Sequence, residues 1–166
     1  MPELRTALAI VIVVALLATA AAQLRRGDAD GDALGGTVVR VVDGDTIGVR
    51  IGDRVERVRY IGVDTPESVK PGASVQCFAE AAHELNERLV ARRRVRLVTD
   101  AERRDRYGRL LAYVYRAGDG LFVNAELVRR GYAQTLTIPP NVRYAARLST
   151  LVRRARAAGA GLWGAC

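Results

Sequence analysis

Three short segments combine acidic residues with arginine or with turn-forming residues: residues 43–46 read DGDT, residues 59–67 read RYIGVDTPE and residues 105–109 read DRYGR. Each has an ordinary explanation when taken singly, because Asp-Gly is a common hairpin turn, a Thr-Pro bend stiffens a loop, and a charged loop is solvated. Their occurrence together in one small chain is harder to explain by turn formation alone. The acids and arginines are therefore candidates for chemistry.

These residue types suit a hard cation and an anionic substrate. Carboxylates are oxygen ligands for such a cation, and arginine makes planar two-point contacts with phosphate. The 26 basic and 18 acidic residues give a net charge of +8, which favours polyanionic partners, although a GC-rich genome would also raise the arginine count. Cysteine and histidine form no cluster in the sequence, and the single histidine, His83, is expected at the surface of a helix.

The elements that must position these residues are mostly short strands. Runs of β-branched residues separated by Asp-Gly and Gly-Asp turns predict three antiparallel strands over residues 37–63. Residues 77–92 carry apolar side chains at helical spacing, and this pattern predicts a helix that packs by one face: Phe78, Ala82, Leu85, Leu89. Two further strands are predicted at 94–98 and 109–118. Two further helices are predicted, one ending at Gly131 and one over 141–158.

The order βββ-α-ββ-α-α has too few crossover helices for a parallel sheet. It favours a small barrel with helices beside it. Arg59 is expected to begin the third strand and Arg109 the fifth. On neighbouring walls of a barrel, both side chains would then reach one phosphate.

The three segments resemble the motifs of the staphylococcal nuclease (thermonuclease) family, in which DGDT, R-x-x-x-V-D-T-P-E and D-x-Y-G-R occur in this order. The similarity extends from about Thr37 to Trp163. It implies an α+β fold, in which a five-stranded OB-fold β-barrel carries about three flanking helices. It also implies a nuclease that uses calcium, Ca²⁺.

The resemblance assigns roles residue by residue. It implies that the carboxylates of Asp45 and Asp64 and the backbone carbonyl of Thr65 bind the calcium ion, and that the catalytic groups are Arg59, Glu67 and Arg109. A bound cation would offset charge that water adds to a phosphodiester during attack. Whether Glu67 is a general base or only orients the water is open at this point.

Substrate contacts follow the family only in part. Arg106 and Tyr107 are expected to bind substrate, and Tyr107 matches the phosphate-contacting tyrosine of the family. Leu136 and Ile138 stand where the family has tyrosines that help to hold the base and phosphate, which implies altered base stacking. Arg143, Arg147 and Arg154 are spaced to form a basic stripe on the last predicted helix, either a track for the nucleic-acid backbone or a solvated face.

The start of the chain predicts export. Residues 7–22 are apolar and have the length of a signal-peptide core, with small residues for cleavage, so residues 1–22 are a signal peptide or an uncleaved membrane anchor. Residues 23–36 are rich in Gly and Asp and predict a flexible linker before a domain over 37–166. The protein is therefore expected to be secreted or associated with the cell envelope, with membrane contact only if the segment stays uncleaved.

The two cysteines, Cys77 and Cys166, are expected to form a disulfide, because an exported chain meets an oxidising compartment. The bond would require the C-terminal tail to return toward the first helix.

Two functions remain in view from the sequence. The first is an exported, calcium-dependent nuclease that hydrolyses DNA and RNA with little sequence preference and gives 3′-phosphate products, working as a monomer. The alternative is a non-catalytic OB-fold module that binds nucleic acid. The joint presence of the acids and both arginines argues against the alternative, because binding alone needs no metal site.

Overall fold

The computed structural model describes residues 33–67 and 76–166, and five strands of this part form a closed barrel. The strands are β1 (Ala33–Val41), β2 (Thr46–Ile51), β3 (Arg54–Tyr60), β5 (Arg94–Val98) and β6 (Leu110–Arg116). They neighbour one another in the order β1-β2-β3-β6-β5, and β5 pairs with β1 to close the barrel. The predicted α+β fold, with an OB-type barrel of five strands, is confirmed.

The pair β3–β6 is parallel and the other barrel pairs are antiparallel. A parallel pair needs a long connection, and the chain between β3 and β6 holds a helix and two further strands. Alternate residues of the strands fill the barrel, so that Ile47, Val49 and Val58 are fully buried. Arg59 then lies on the outer face of β3, opposite Leu111 of β6.

Four helices of the described residues flank the barrel: α1 (Ala79–Val90), α2 (Val123–Arg129), α3 (Ala145–Ala157) and the four-residue α4 (Leu162–Ala165). A separate two-stranded sheet pairs β4 (Gly62–Asp64) with β7 (Gln134–Leu136). Helix α1 buries the predicted Ala82, Leu85 and Leu89, whereas Phe78 precedes the helix and packs against the ring of Tyr132. No helix of the described residues is long and apolar enough to cross a membrane.

Three expected boundaries are wrong. Strand β1 begins at Ala33, because Ala33–Gly36 pair with β5, so the last four residues of the predicted linker belong to the barrel. Arg59 is near the end of β3 and does not begin it. Arg143 precedes α3, where its backbone N–H donates to Asp100, so it is not part of a stripe on the helix. Residues 1–32, including the predicted signal peptide or anchor, lie outside the described residues.

The C-terminal tail returns to α1 as expected. At Gly131 and Gly161 the two backbones touch: an added Cβ on Gly131 would lie 2.0 Å from the carbonyl oxygen of Ala160, and both glycines have positive φ. The N–H of Leu162 donates to the carbonyl of Gly131 (2.9 Å). Beyond this crossing Cys166 forms a disulfide with Cys77, with the Cα atoms 6.1 Å apart, so the predicted bond is confirmed.

Candidate active site

The DGDT turn packs directly on the DTPE loop. The backbone N–H and the hydroxyl of Thr65 both donate to Oδ2 of Asp45, at 2.9 and 3.1 Å. A Cβ on Gly44 would lie 2.6–2.8 Å from the side chain of Thr65, so the close packing of the two loops requires glycine there. The Asp-Gly pair therefore does more than make a hairpin turn, because it brings Asp45 and Thr65 together.

Arg59 joins two of the predicted metal ligands. Its Nη1 lies 2.8 Å from Oδ2 of Asp45, and its Nη2 lies 2.8 Å from Oδ1 of Asp64. Nη1 also donates to the carbonyl of Val63 at 2.9 Å. With only 13% of its side chain exposed, Arg59 is largely buried and is built into the fold.

The pKa of Asp45 is raised even though Arg59 lies beside its carboxylate. Burial raises the pKa of Asp45 above its usual range, Arg59 lowers it, and the neighbouring carboxylate of Asp43 raises it further. The net direction is upward. A further cation close to this carboxylate would favour its charged form.

The DRYGR segment is a turn organised by Asp105. Its Oδ1 accepts the backbone N–H groups of Tyr107 and Arg109, at 2.9 and 3.0 Å, and Gly108 takes the positive φ that the turn requires. Its Oδ2 accepts the Nε–H of Arg109 at 2.7 Å. Burial raises the pKa of Asp105, but the hydrogen bonds from Arg109 and Tyr107 lower it more. Asp105 therefore stays charged and holds the side chain of Arg109 in place.

Arg109 differs from Arg59 in the hydrogen-bond donors that its guanidinium leaves available to a ligand. Within the described residues its Nη atoms form no hydrogen bond, because its contacts are the Nε bond to Asp105 and the ring of Tyr107, 5.5 Å away. Its side chain is 23% exposed. The fork of Arg109 is thus available to an anion.

The predicted catalytic and metal-binding residues meet in one small cavity of about 60 Å³. Four carboxylates and two guanidinium groups line it together with Thr46, Thr65 and Pro66: Asp43, Asp45, Asp64, Glu67, Arg59, Arg109. The backbone of Glu67 is fixed by Gln76, whose side-chain oxygen accepts its N–H at 2.8 Å. Sequence spacing alone did not reveal Asp43 as a member of this group.

The donor set of this cavity fits a hard cation. Its oxygens come from carboxylates and from a loop backbone, and no sulfur or imidazole ligand is among its lining residues. Across residues 33–67 and 76–166, no group of three or more acidic, histidine or cysteine side chains is arranged to hold a metal ion. The predicted set is of the open kind, with two carboxylates and one carbonyl.

Arg106 and Tyr107 line a larger cavity of about 440 Å³ that also includes Arg59 and Arg109. Arg106 donates to the hydroxyl of Tyr107 at 2.7 Å and lies over its ring. Leu136 and Ile138 form an apolar part of the wall. Because Arg59 and Arg109 border both cavities, the two spaces adjoin.

Two positioning residues had no sequence signal. Asn86, buried on α1, donates to the carbonyl of Asp43 at 2.9 Å and accepts the hydroxyl of Tyr60 at 2.9 Å. Asn124, buried on α2, donates to the carbonyl of Ile61 at 2.8 Å, where the chain leaves β3. These amides fix the DGDT turn and the end of β3. A polar residue in a helix usually lies on the face exposed to solvent, so the sequence pattern indicated exposure for two amides that are in fact buried.

The other predicted residues lie outside both cavities. His83 is partly buried on α1 and lines neither space. Arg147 packs over the ring of Phe122, with its Cζ 5.3 Å from the centroid, so it is partly used in packing. Arg154 is exposed on α3.

Comparisons with known proteins agree with this geometry. The family model described as staphylococcal nuclease homologue matches residues 57–165, which include the RYIGVDTPE and DRYGR segments. Thermonuclease of Staphylococcus intermedius is 42% identical over 126 residues, which cover 76% of this chain and 74% of that protein. Thermonuclease of Staphylococcus hyicus is 39% identical over 126 residues, with 76% and 73% covered.

A relative from another genus is longer. The SPbeta prophage-derived endonuclease YokF of Bacillus subtilis is 40% identical over 129 residues, which cover 76% of this chain but 43% of that protein. The chain therefore belongs to the staphylococcal nuclease family.

Proposed function

We propose that this protein is an exported, calcium-dependent nuclease that hydrolyses phosphodiester bonds of DNA and RNA with low sequence specificity and leaves 3′-phosphate products. The observation that carries the proposal is the small cavity in which four carboxylates face two arginines. Thermonuclease and endonuclease relatives support the reaction class.

The carboxylates of Asp45 and Asp64 and the carbonyl of Thr65 would hold the calcium ion. When bound, the ion supplies positive charge that offsets the charge gained by the phosphate oxygens during attack. Asp45 is buried and shares the single guanidinium of Arg59 with Asp64. A bound cation in addition to this arginine would therefore stabilise the charged form of Asp45. Asp43 adds negative charge to the same cavity.

Arg109 and Arg59 act on the phosphate from two sides. Arg109 has its Nη donors available, and Asp105 fixes their direction. Arg59 exchanges part of its carboxylate contacts for contacts to the phosphate, and its position opposite Leu111 places it on the strand adjoining Arg109. Glu67 lines the same cavity and orients or deprotonates the attacking water.

The larger cavity accounts for the low specificity. Leu136 and Ile138 present carbon atoms, which contact any base without reading its hydrogen-bonding edge. Arg106 and Tyr107 lie at the exposed side of this cavity and bind the adjoining phosphate.

Export is supported by the apolar run at residues 7–22 and by the Cys77–Cys166 disulfide, because such bonds persist in oxidising compartments. N-terminal sequencing of the protein recovered from the growth medium tests it. A mature chain that begins near residue 21 or 23 supports a cleaved signal peptide, and an intact chain in the membrane fraction supports the anchor.

The nuclease activity is tested with the purified protein on single-stranded DNA and on RNA of the same sequence. We expect cleavage of both with added Ca²⁺, none with a chelator, and recovery when Ca²⁺ is restored. Products should lose a terminal phosphate on treatment with a 3′-phosphatase.

Other outcomes count against parts of the proposal. Cleavage that persists in chelator excludes the cation mechanism, and activity restored by Mg²⁺ but not by Ca²⁺ excludes calcium. Binding of both nucleic acids without cleavage under any of these conditions would identify a binding module.

A further inference from the structure

Arg40, Arg50 and Arg57 lie on the outer face of the three-stranded sheet formed by β1, β2 and β3, and are here called the sheet-face arginines. Arg40 and Arg57 stand on either side of Gly48 in one cross-strand row. Arg50 lies in the next row, between Thr37 and Val55. All three arginines are exposed, while the alternating residues Ile47, Val49 and Val58 are buried in the barrel.

These side chains carry charge that the protein does not neutralise. Within residues 33–67 and 76–166 they form no ion pair and no hydrogen bond. Several other arginines do, including Arg104 with Glu56 and Arg116 with Asp119. Three uncompensated guanidinium groups on one face repel one another, and an anion between them would relieve that repulsion.

The face is continuous with the candidate active site. Arg57 and Arg59 are two residues apart on β3, so they point to the same side of the sheet with Cα atoms about 7 Å apart. Arg59 borders the cavity with the carboxylates. A strand whose phosphate lies at Arg59 therefore meets Arg57 next, and then Arg40 or Arg50.

The floor between the arginines is shallow and partly apolar. Gly48 is buried beneath its neighbours, and a Cβ there would lie 3.6–3.7 Å from Arg40, Val39 and Val55, so these neighbouring side chains form the surface between the arginines. Val39 and Val55 are 43% and 53% exposed beside it. Cationic walls and an apolar floor suit the phosphates and the sugar or base faces of an unpaired strand.

We propose that the sheet-face arginines bind the phosphates of single-stranded nucleic acid on one side of the cleaved bond, and so extend the substrate site beyond the two cavities. The inference rests on the proposed nuclease function, because it concerns the same bound strand. It assigns to residues outside the site a role in holding long substrates.

The test is the variant R40Q/R50Q/R57Q, compared with R88Q/R92Q/R153Q. The control removes the same charge from exposed arginines of α1, of the turn after it and of α3. Substrates are a dinucleotide, which does not reach from Arg59 to Arg50, and a single strand of about 30 nucleotides. Binding of the long strand is measured separately by fluorescence anisotropy in chelator.

We expect the sheet-face variant to cleave the dinucleotide as the parent does. Its kcat/KM on the long strand should fall roughly tenfold or more at low salt, mainly because KM rises. A plot of log binding constant against log salt concentration should have a slope that is smaller in magnitude by about 2. The control should lose much less. Unchanged cleavage and binding of the long strand, or equal losses in both variants, would overturn the proposal.

Two further outcomes separate related ideas. If the parent cleaves neither substrate, the proposed nuclease function fails, while the anisotropy comparison still decides whether this face binds nucleic acid. If the sheet-face variant keeps its DNA binding but loses sedimentation with phosphatidylserine-rich vesicles, the face docks on anionic membrane and the proposal is wrong.

Discussion

Asp45 and Glu126 are both nearly buried carboxylates bound by arginine, yet their pKa values move in opposite directions. Asp45 shares Arg59 with Asp64 and faces Asp43, and burial raises its pKa. Glu126 on α2 binds Arg129 at 2.8 Å and Arg130 at 2.6 Å. The hydrogen bonds from Arg129 lower the pKa of Glu126, burial raises it, and the hydrogen bond from Arg130 lowers it further. The resulting pKa of Glu126 is about 2.

The difference lies in the balance of charge. Glu126 is one acid with two arginines, so it is fully compensated, and its ion pairs tie together the end of α2. The active-site cavity has four acids and two arginines, so it retains negative charge in a partly buried place. An excess of negative charge in a partly buried cavity destabilises the folded state, and it is expected where a cation binds. Changes at the two centres should therefore separate activity from stability.

The largest effect is expected from removing the arginine of each centre. Arg59→Ala should reduce turnover roughly 10³-fold, because a phosphate-binding guanidinium is lost. It should also destabilise the fold by about 3 kcal/mol, because buried Asp45 loses its partner. Arg129→Ala is the matched control and should keep turnover within about twofold. Turnover on single-stranded DNA and urea unfolding measure both effects, and near-normal cleavage by Arg59→Ala would remove it from the catalytic set.

Arg109 should lose activity without losing stability. Arg109→Ala should lower turnover by roughly 10²–10³-fold, because its Nη donors, which form no hydrogen bond within the described residues, are expected to bind the substrate. Its free energy of unfolding should change by only about 1 kcal/mol, since the partly buried Asp105 keeps the backbone hydrogen bonds from Tyr107 and residue 109. Arg109→Lys should recover little, because lysine lacks the planar fork. A loss of stability as large as that of Arg59→Ala would show that Arg109 is mainly structural.

Asp45→Asn tests the excess negative charge. The amide keeps the shape but removes charge from the cavity, so activity at fixed Ca²⁺ should fall roughly 10²-fold and the Ca²⁺ concentration for half-maximal activity should rise. Asp53→Asn in the exposed β2–β3 turn is the matched control and should change neither value. Calorimetric Ca²⁺ titration without substrate gives an independent measurement. Unchanged Ca²⁺ affinity in Asp45→Asn would exclude this carboxylate as a ligand.

The sequence predicted most residues of the small cavity because turn motifs are local and carry their own chemistry. It predicted the barrel from the order of its elements and the disulfide from the expected export. It misplaced Arg59 because RYIGV continues the apolar pattern of a strand, whereas Gly62 at positive φ breaks the chain after β3. It missed Asn86 because a polar residue on a helix usually faces solvent, and the acceptor on Asp43 is distant in sequence. Glu126 and its arginines, three and four residues apart, looked like an ordinary charged helix face.

Glu126→Gln should affect stability and leave activity unchanged. The variant weakens three charge-assisted hydrogen bonds, two from Arg129 and one from Arg130, to a residue that is 8% exposed. We expect a loss of about 2 kcal/mol at pH 7, reduced by the solvent exposure of Arg129 and Arg130. Urea unfolding measures the loss. A drop in turnover at a temperature where the variant is fully folded would contradict the division between the two centres.

The smallest expected effect is the pH dependence that Glu126 contributes. Its pKa is about 2 in the folded protein and 4.5 when unperturbed, so the unfolded chain takes up the proton first as the pH falls. The stabilisation by Glu126 is thus complete above pH 4.5 and is lost as the pH falls toward 2. Other carboxylates with lowered pKa values act in the same direction, so the comparison must be made with Glu126→Gln. The difference in unfolding free energy between parent and variant should shrink from about 2 kcal/mol at pH 7 to about 1 kcal/mol at pH 3. A constant difference over this range would mean that the ion pairs of Glu126 do not shift its pKa, and the contrast with Asp45 would then rest on geometry alone.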